Sequence, residues 1–189
     1  MSNLSVPLPP VARRSGADIW RWGVMALLLS SAAALIAFQQ SFRHMEAVLA
    51  SHLFDRGGVS TFAGTDDVVV FLLPDSRVFA LEVTPECTAA FLIAPFALIG
   101  AGMLVRRRLD PARVLLGVSL AAVLLLLANQ LRLGVIAGMV TDLGLDRGYQ
   151  WGHLFVGSFI SVVLVAVSAA VALLVIGSGY RGFHEVSGP

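Results

Sequence analysis

The sequence predicts an α-helical integral membrane protein, with about four transmembrane helices and a short extracytoplasmic β-hairpin before the second. Three observations carry that expectation. Hydrophobic residues make up 57% of the chain against 13% charged ones, and mean hydropathy is +0.84, far from the balance of a soluble domain. The apolar residues are gathered into runs long enough to cross a bilayer core. The arginines lie between those runs, and unevenly.

Residues 1–18, rich in Ser and Pro (Pro7, Pro9, Pro10), predict a disordered cytoplasmic tail. The first span covers about residues 19–38, opening at Ile19 or at Trp22, with Trp20 and Trp22 suited to the interfacial belt. Arg13, Arg14 and Arg21 precede it as in a signal peptide. Its end, Phe38-Gln39-Gln40, lacks a small-x-small cleavage site, so a retained anchor is expected. The second span, 88–105, is 18 residues without a charge. The third covers about 114–131 and the fourth about 154–176, where Ser158, Ser161 and Ser168 can hydrogen-bond within the helix or to neighbours. Residues 19–177 thus read as one transmembrane domain, with 178–189 a second cytoplasmic tail.

All 13 basic residues are arginine. Eight lie in short segments before span one, between spans two and three, and after span four; the other five spread over two longer loops. The positive-inside rule then puts both termini in the cytoplasm of a multi-pass cell-membrane protein. The run Arg106-Arg107-Arg108 reads as a topology determinant. No basic stripe with interleaved aromatics appears, so no nucleic-acid partner is expected; the lipid bilayer is.

The loop 39–86 is then extracytoplasmic. Val68–Leu73 and Val78–Val83 are β-branched or aromatic runs flanking Pro74-Asp75-Ser76-Arg77, which predicts a hairpin. Its second strand reaches Cys87 through only Thr84-Pro85-Glu86, a short link that would hold the cysteine against the hairpin. Gly57-Gly58 and Gly64 suggest a mobile loop upstream.

Cys87 is the only cysteine, which excludes an internal disulfide. It is expected at the outer membrane boundary and at a helix N-terminus, where unpaired N–H groups favour a thiolate. Asn129 and Arg132 close the third span on one helical face, and His153 opens the fourth, so three helices deliver Cys87, Arg132 and His153 to one depth. Each has a bland alternative: a small buried hydrophobe, a snorkelling arginine, a satisfied polar histidine. Their conjunction supplies a nucleophile, a base and a fixed cation, the parts of covalent acyl transfer. His153 would take the thiol proton, and Arg132 would stabilise the thiolate or the oxyanion. Asn129 could orient one of these groups. Glu86 disfavours a thiolate beside it, and can pair with Arg132, pair with His153 or face water. One Cys and one nearby His fall short of a metal ligand set, and the chemistry calls for no cofactor.

The pattern resembles the exosortase/archaeosortase family of membrane-embedded cysteine transpeptidases. Cys87, Asn129 with Arg132, and His153 with Gly157 match the family's order and topology over roughly residues 68–165, and strand 78–83 looks like its approach to the nucleophile. The chain departs in following Cys87 with Thr88-Ala89, where the family usually has Ser-Gly; Thr88 keeps the hydroxyl. The resemblance implies cleavage of a C-terminal sorting tail from an exported protein through a Cys87 acyl-enzyme, with transfer to a cell-surface acceptor or water. Rival readings are a non-catalytic membrane assembly or scaffold protein and a small transporter subunit. The spans carry almost no ionisable residue near mid-membrane, which counts against the latter.

Overall fold

A computed structural model describes residues 16–56, 61–64, 67–72, 78–106 and 109–178. The expected tails lie largely, and the hairpin turn Pro74–Arg77 and Gly57-Gly58 wholly, outside the described residues. Helix α1 (Gly16–Ala37) passes almost without interruption into α2 (Gln39–Arg56). The Phe38 N–H still bonds the Ala34 carbonyl, and the Phe42 N–H bonds that of Phe38. What changes at Phe38 is composition. The outward face of α1 is apolar, with Ile19, Leu27, Leu29 and Ile36 exposed, whereas α2 is charged and buries one narrow face of Glu46, Ala47, Ala50 and Ser51.

Strands β1 (Thr61–Ala63), β2 (Val68–Leu72) and β3 (Val78–Glu82) form an antiparallel sheet in that order. The expected hairpin is β2–β3, with Val70 opposite Ala80; β1 was not expected. The inward residues Val69, Phe71, Leu81 and Val83 pack with Ala47 and Ala50 of α2 and with Leu133, Ile136 and Val140, and Cys87 belongs to the same core. The Phe71 and Phe79 rings stack 4.6 Å apart. Asp67, at a left-handed φ of 61°, accepts the Val83 N–H on its carbonyl and pairs its carboxylate with Arg43 at 3.3 Å. Arg43 also donates to the Val83 carbonyl. One guanidinium therefore fastens the base of the hairpin to α2.

A 3₁₀ turn (Pro85–Cys87) leads into α3 (Ala90–Met103). Helix α4 (Pro111–Leu143) starts with Pro111 at its first position and the Asp110 carboxylate accepting the Ala112 N–H, both favoured helix starts. It ends at Gly144, whose φ of 84° needs glycine. Then α5 (Leu145–Tyr149), a π-helical segment (Gln150–Val156) and α6 (Gly157–Gly177) run on as one rod. Gly148 lets α5 lie directly on the α4 backbone at Met139 and Val140.

Among the described residues, three stretches are long and apolar enough to cross a membrane: Asp18–Ala37, Pro111–Leu143 and Leu145–Gly177. The second expected span, 88–105, is realised as the 14-residue α3, about 21 Å long at 1.5 Å per residue and short of a bilayer core. Residues at both its ends are spent in turns. The third and fourth expected spans were too short in the opposite sense. Helix α4 continues past Arg132 to Leu143, and the last rod begins at Leu145 instead of after His153. A polar residue marks no helix end when apolar positions such as Leu133, Ile136 and Val140 continue to bury; the first breaker is Gly144.

One end of the bundle gathers the start of α1, the end of α3, the start of α4 and the end of α6. Arg21 donates to the carbonyls of Leu104, Arg106 and Leu109, and Arg113 to Ser178. The sheet, α2 and Cys87 occupy the opposite end.

Candidate functional site

Cys87, expected at a helix N-terminus directly before residue 88, closes a 3₁₀ turn, and α3 starts only at Ala90. The Cys87 N–H is bonded to the Thr84 carbonyl at 2.9 Å, because Pro85 starts a tight turn and has no N–H to offer. The thiol is buried, 5% exposed, and Sγ lies 3.8 Å from His153 Nδ1, 66 residues away in the chain. That is sulfur hydrogen-bond distance.

His153 sits inside the π-helical segment instead of opening a helix. Such segments recur at functional sites because the wider turn redirects side chains. The ring of Tyr149 stacks on its imidazole, 5.1 Å between centroids and 6° from parallel, which fixes the ring plane. Tyr149 was not anticipated; its position four residues before His153 in one helix was the available signal.

Arg132 is buried within α4, 9% exposed, and its Nε has no hydrogen-bond partner among the described residues. Gly157 makes room for it. A Cβ there would lie 3.0 Å from Arg132 Nε and 2.7 Å from the Gly152 carbonyl oxygen. The second contact follows from the π turn, which brings the carbonyl of residue 152 beneath residue 157. Gly157 therefore lets the arginine lie against the histidine-bearing segment. The charges of Arg132 and Glu86 both act on His153, with opposite sign. Glu86 is exposed. Cys87, Arg132 and His153 thus converge, although neither Arg132 nor His153 is at a helix end.

The supporting residues are arranged differently from expectation. Asn129 does not touch the thiol or the imidazole; its Nδ2 donates to Glu46 Oε1 at 2.7 Å. Thr88 Oγ1 donates to Glu46 Oε2 at 2.6 Å, and the Ala89 N–H donates to Oε1 at 3.0 Å. Thr88 Oγ1 also accepts the Ala90 N–H. Glu46 is fully buried and joins α2, the residues directly after Cys87, and α4 one turn from Arg132. Burial pushes its carboxyl above the usual glutamate range, while the bonds from Thr88, Ala89 and Asn129 pull it back. Sequence reasoning missed Glu46 because a lone acidic residue in a polar segment has no spacing signature. Its position on the apolar stripe of α2, beside Phe42, Ala47 and Ala50, was the only sign.

Among the described residues, no three His, Cys, Asp or Glu side chains gather as a metal ligand set would. No family model matches this chain, and no curated protein or solved structure matches it either.

Proposed function

We propose that this protein is a membrane cysteine transpeptidase of exosortase type, which cleaves the C-terminal sorting signal of an exported protein and transfers it to a cell-surface acceptor. The observation that carries the reading is the 3.8 Å approach of Cys87 Sγ to His153 Nδ1. The contact joins two titratable side chains 66 positions apart in the chain.

The steps follow from those atoms. With the proton of His153 on Nε2, Nδ1 accepts the Cys87 thiol proton and the thiolate attacks a peptide carbonyl carbon. The new C–S bond pushes electrons onto the carbonyl oxygen, and Arg132, buried with an unpartnered Nε, supports the charge. The tetrahedral intermediate collapses as the C–N bond breaks, and imidazolium His153 returns its proton to the leaving amine. An amine, hydroxyl or water acceptor then loses a proton to His153, attacks the thioester and releases the Cys87 thiolate, which regains the proton.

The site lies at the end of the bundle opposite Arg21, Arg106 and Arg113. By the positive-inside rule that end faces out, with both termini in the cytoplasm. The short α3 reaches from the Cys87 end to the carbonyls that Arg21 binds, which supports a fourth crossing and an even span count.

The test uses purified full-length protein in nanodiscs and a pool of synthetic peptides, each a randomised six-residue segment joined to a leucine-alanine span and an arginine tail. Intact mass spectrometry should find an adduct on Cys87 that hydroxylamine releases and that Cys87→Ala lacks. Peptide cleavage with no such adduct, or with Cys87→Ala as active as wild type, would overturn the reading. Neither cleavage nor adduct would favour the scaffold alternative.

A further inference from the structure

Strand β3 is an edge of the sheet, and its ladder decides which backbone groups are spent. The Val83 N–H bonds the Asp67 carbonyl, so Val83, Leu81 and Phe79 occupy the hydrogen-bonded positions opposite β2. Val78, Ala80 and Glu82, opposite Leu72, Val70 and Val68, therefore turn their N–H and C=O groups away from β2. The Glu82 carbonyl accepts the Thr84 N–H. That leaves the N–H groups of Val78, Ala80 and Glu82 and the carbonyls of Val78 and Ala80 directed to the open edge. An edge of this kind is a template for one more strand.

The residues that turn toward this edge, Val78, Ala80 and Glu82, are exposed. The edge borders a crevice of about 220 Å³ whose far wall is Val140, Leu145 and Tyr149, and whose near wall includes Ala80, Glu82 and Thr84. Two residues that line it, Thr84 and Tyr149, are also in contact with Cys87 and His153. The Thr84 carbonyl holds the Cys87 N–H, and the Tyr149 ring stacks on His153. The crevice walls mix apolar side chains with the hydroxyl-bearing Thr84 and Tyr149, and Glu82 is the one charged residue among those that line it.

We propose that the segment of the substrate beside its cleavage point binds here as an added β-strand, paired backbone to backbone with Val78–Glu82. An apolar side chain fills the crevice, and a basic one is favoured over an acidic one at Glu82. This rests on the transpeptidase reading and names how the site selects its substrate. An extended peptide is the occupant because only a backbone supplies alternating donors and acceptors at strand spacing. The sense is fixed as well. Both β3 and the segment preceding a substrate's own span lead from the outer face into a span, so the two strands run parallel. Two substrate N–H groups, two residues apart, then meet the carbonyls of Val78 and Ala80.

The experiment uses full-length Cys87→Ala protein in nanodiscs with the peptide pool described above. Hydrogen exchange should slow at the Ala80 and Glu82 amides on adding the pool, while the Leu81 amide, already bonded to β2, stays unchanged. Peptides recovered by binding are then remade with single N-methyl amides. Methylation at two positions separated by one insensitive residue should each weaken binding about tenfold, the worth of one hydrogen bond with its unpaired partner. Ala80→Pro, which removes an N–H not used by the β2 ladder, should weaken binding by a similar factor. Should Ala80→Pro fail to fold, the N-methyl scan still decides.

No slowing at Ala80 and Glu82, or recovered peptides insensitive to every N-methyl group, would overturn the docking mode. The transpeptidase reading is judged separately by the Cys87 adduct in wild type. An adduct with no alternating N-methyl pattern removes the docking mode alone.

Discussion

Replacing Glu46 by alanine should be among the most destabilising single changes outside the bundle core, and replacing it by glutamine should be nearly silent. Alanine leaves three buried donors without an acceptor: the Thr88 hydroxyl, the Ala89 N–H and the Asn129 amide, now bonded at 2.6, 3.0 and 2.7 Å. A buried unsatisfied group costs about 1–3 kcal/mol, and water entering the space of the lost carboxylate recovers part of that. A net loss of about 3–6 kcal/mol is expected, a large share of the roughly 5–15 kcal/mol that holds a typical domain. Glutamine can accept the Ala89 and Asn129 donors on its oxygen and donate its amide to Thr88 Oγ1, so its cost should stay within about 1 kcal/mol. Denaturant-induced unfolding in detergent micelles, followed by tryptophan fluorescence, measures both. Alanine as stable as wild type, or glutamine as damaging as alanine, would refute the claim that Glu46 acts as an acceptor hub.

The remaining predictions concern chemistry, fit, pH and topology. His153→Ala should lower adduct formation about 10²–10⁴-fold, the usual worth of a general base, and Arg132→Lys about 10²-fold or more, since an ammonium lacks the planar fork; rates against the peptide pool check both. Gly157→Ala should cost about 1–3 kcal/mol by overpacking and displace Arg132, so that adduct formation falls more than stability does; circular dichroism melts beside activity separate the two. Burial raises the Glu46 carboxyl, so the stability tied to its neutral form is full below the ordinary value of 4.5 and is lost as pH rises through the raised one. Wild type should accordingly gain stability relative to Glu46→Gln on acidification across that window, and parallel melting curves for the two proteins would contradict it. In a Cys87→Ala background, His52→Cys should react with an impermeant maleimide on intact cells and Ser187→Cys only after permeabilisation; labelling of Ser187→Cys in intact cells would reverse the topology.

The apolar runs and the Cys–Arg–His set were legible because each has a local signature: length without charge, or a reactive residue type beside a span. The hairpin was legible from alternation and a Pro-Asp turn. What was hidden depends on the third dimension. Helix α2 mixes polar residues such as Gln40, Ser41, His44, His52, Asp55 and Arg56 into its exposed positions, and its buried stripe consists of the small residues Ala47, Ala50 and Ser51 around a glutamate, which hydropathy does not register. Arg132 and His153 looked like the ends of spans because charge is the usual marker of a membrane boundary. Both helices instead continue past these residues and pack on each other through Gly148, and α4 packs on the sheet as well. The π-helical turn at His153 leaves no trace in residue type at all.

The two buried charges near Cys87 differ in how fully they are bonded, and that difference separates their roles. Glu46 accepts three hydrogen bonds, one on Oε2 and two on Oε1. A buried carboxylate bonded on both oxygens rigidifies what it joins, here the segment just after Cys87 and the helix turn before Arg132. Arg132 is buried as well but keeps an unpartnered Nε. A buried cation with spare donors is costly at rest, and the cost falls when a negative charge forms beside it. A site that only needed packing at this position would favour an apolar side chain. The arrangement therefore suits a reaction in which negative charge appears transiently on an oxygen near Cys87, with Glu46 holding the frame and Arg132 meeting the charge.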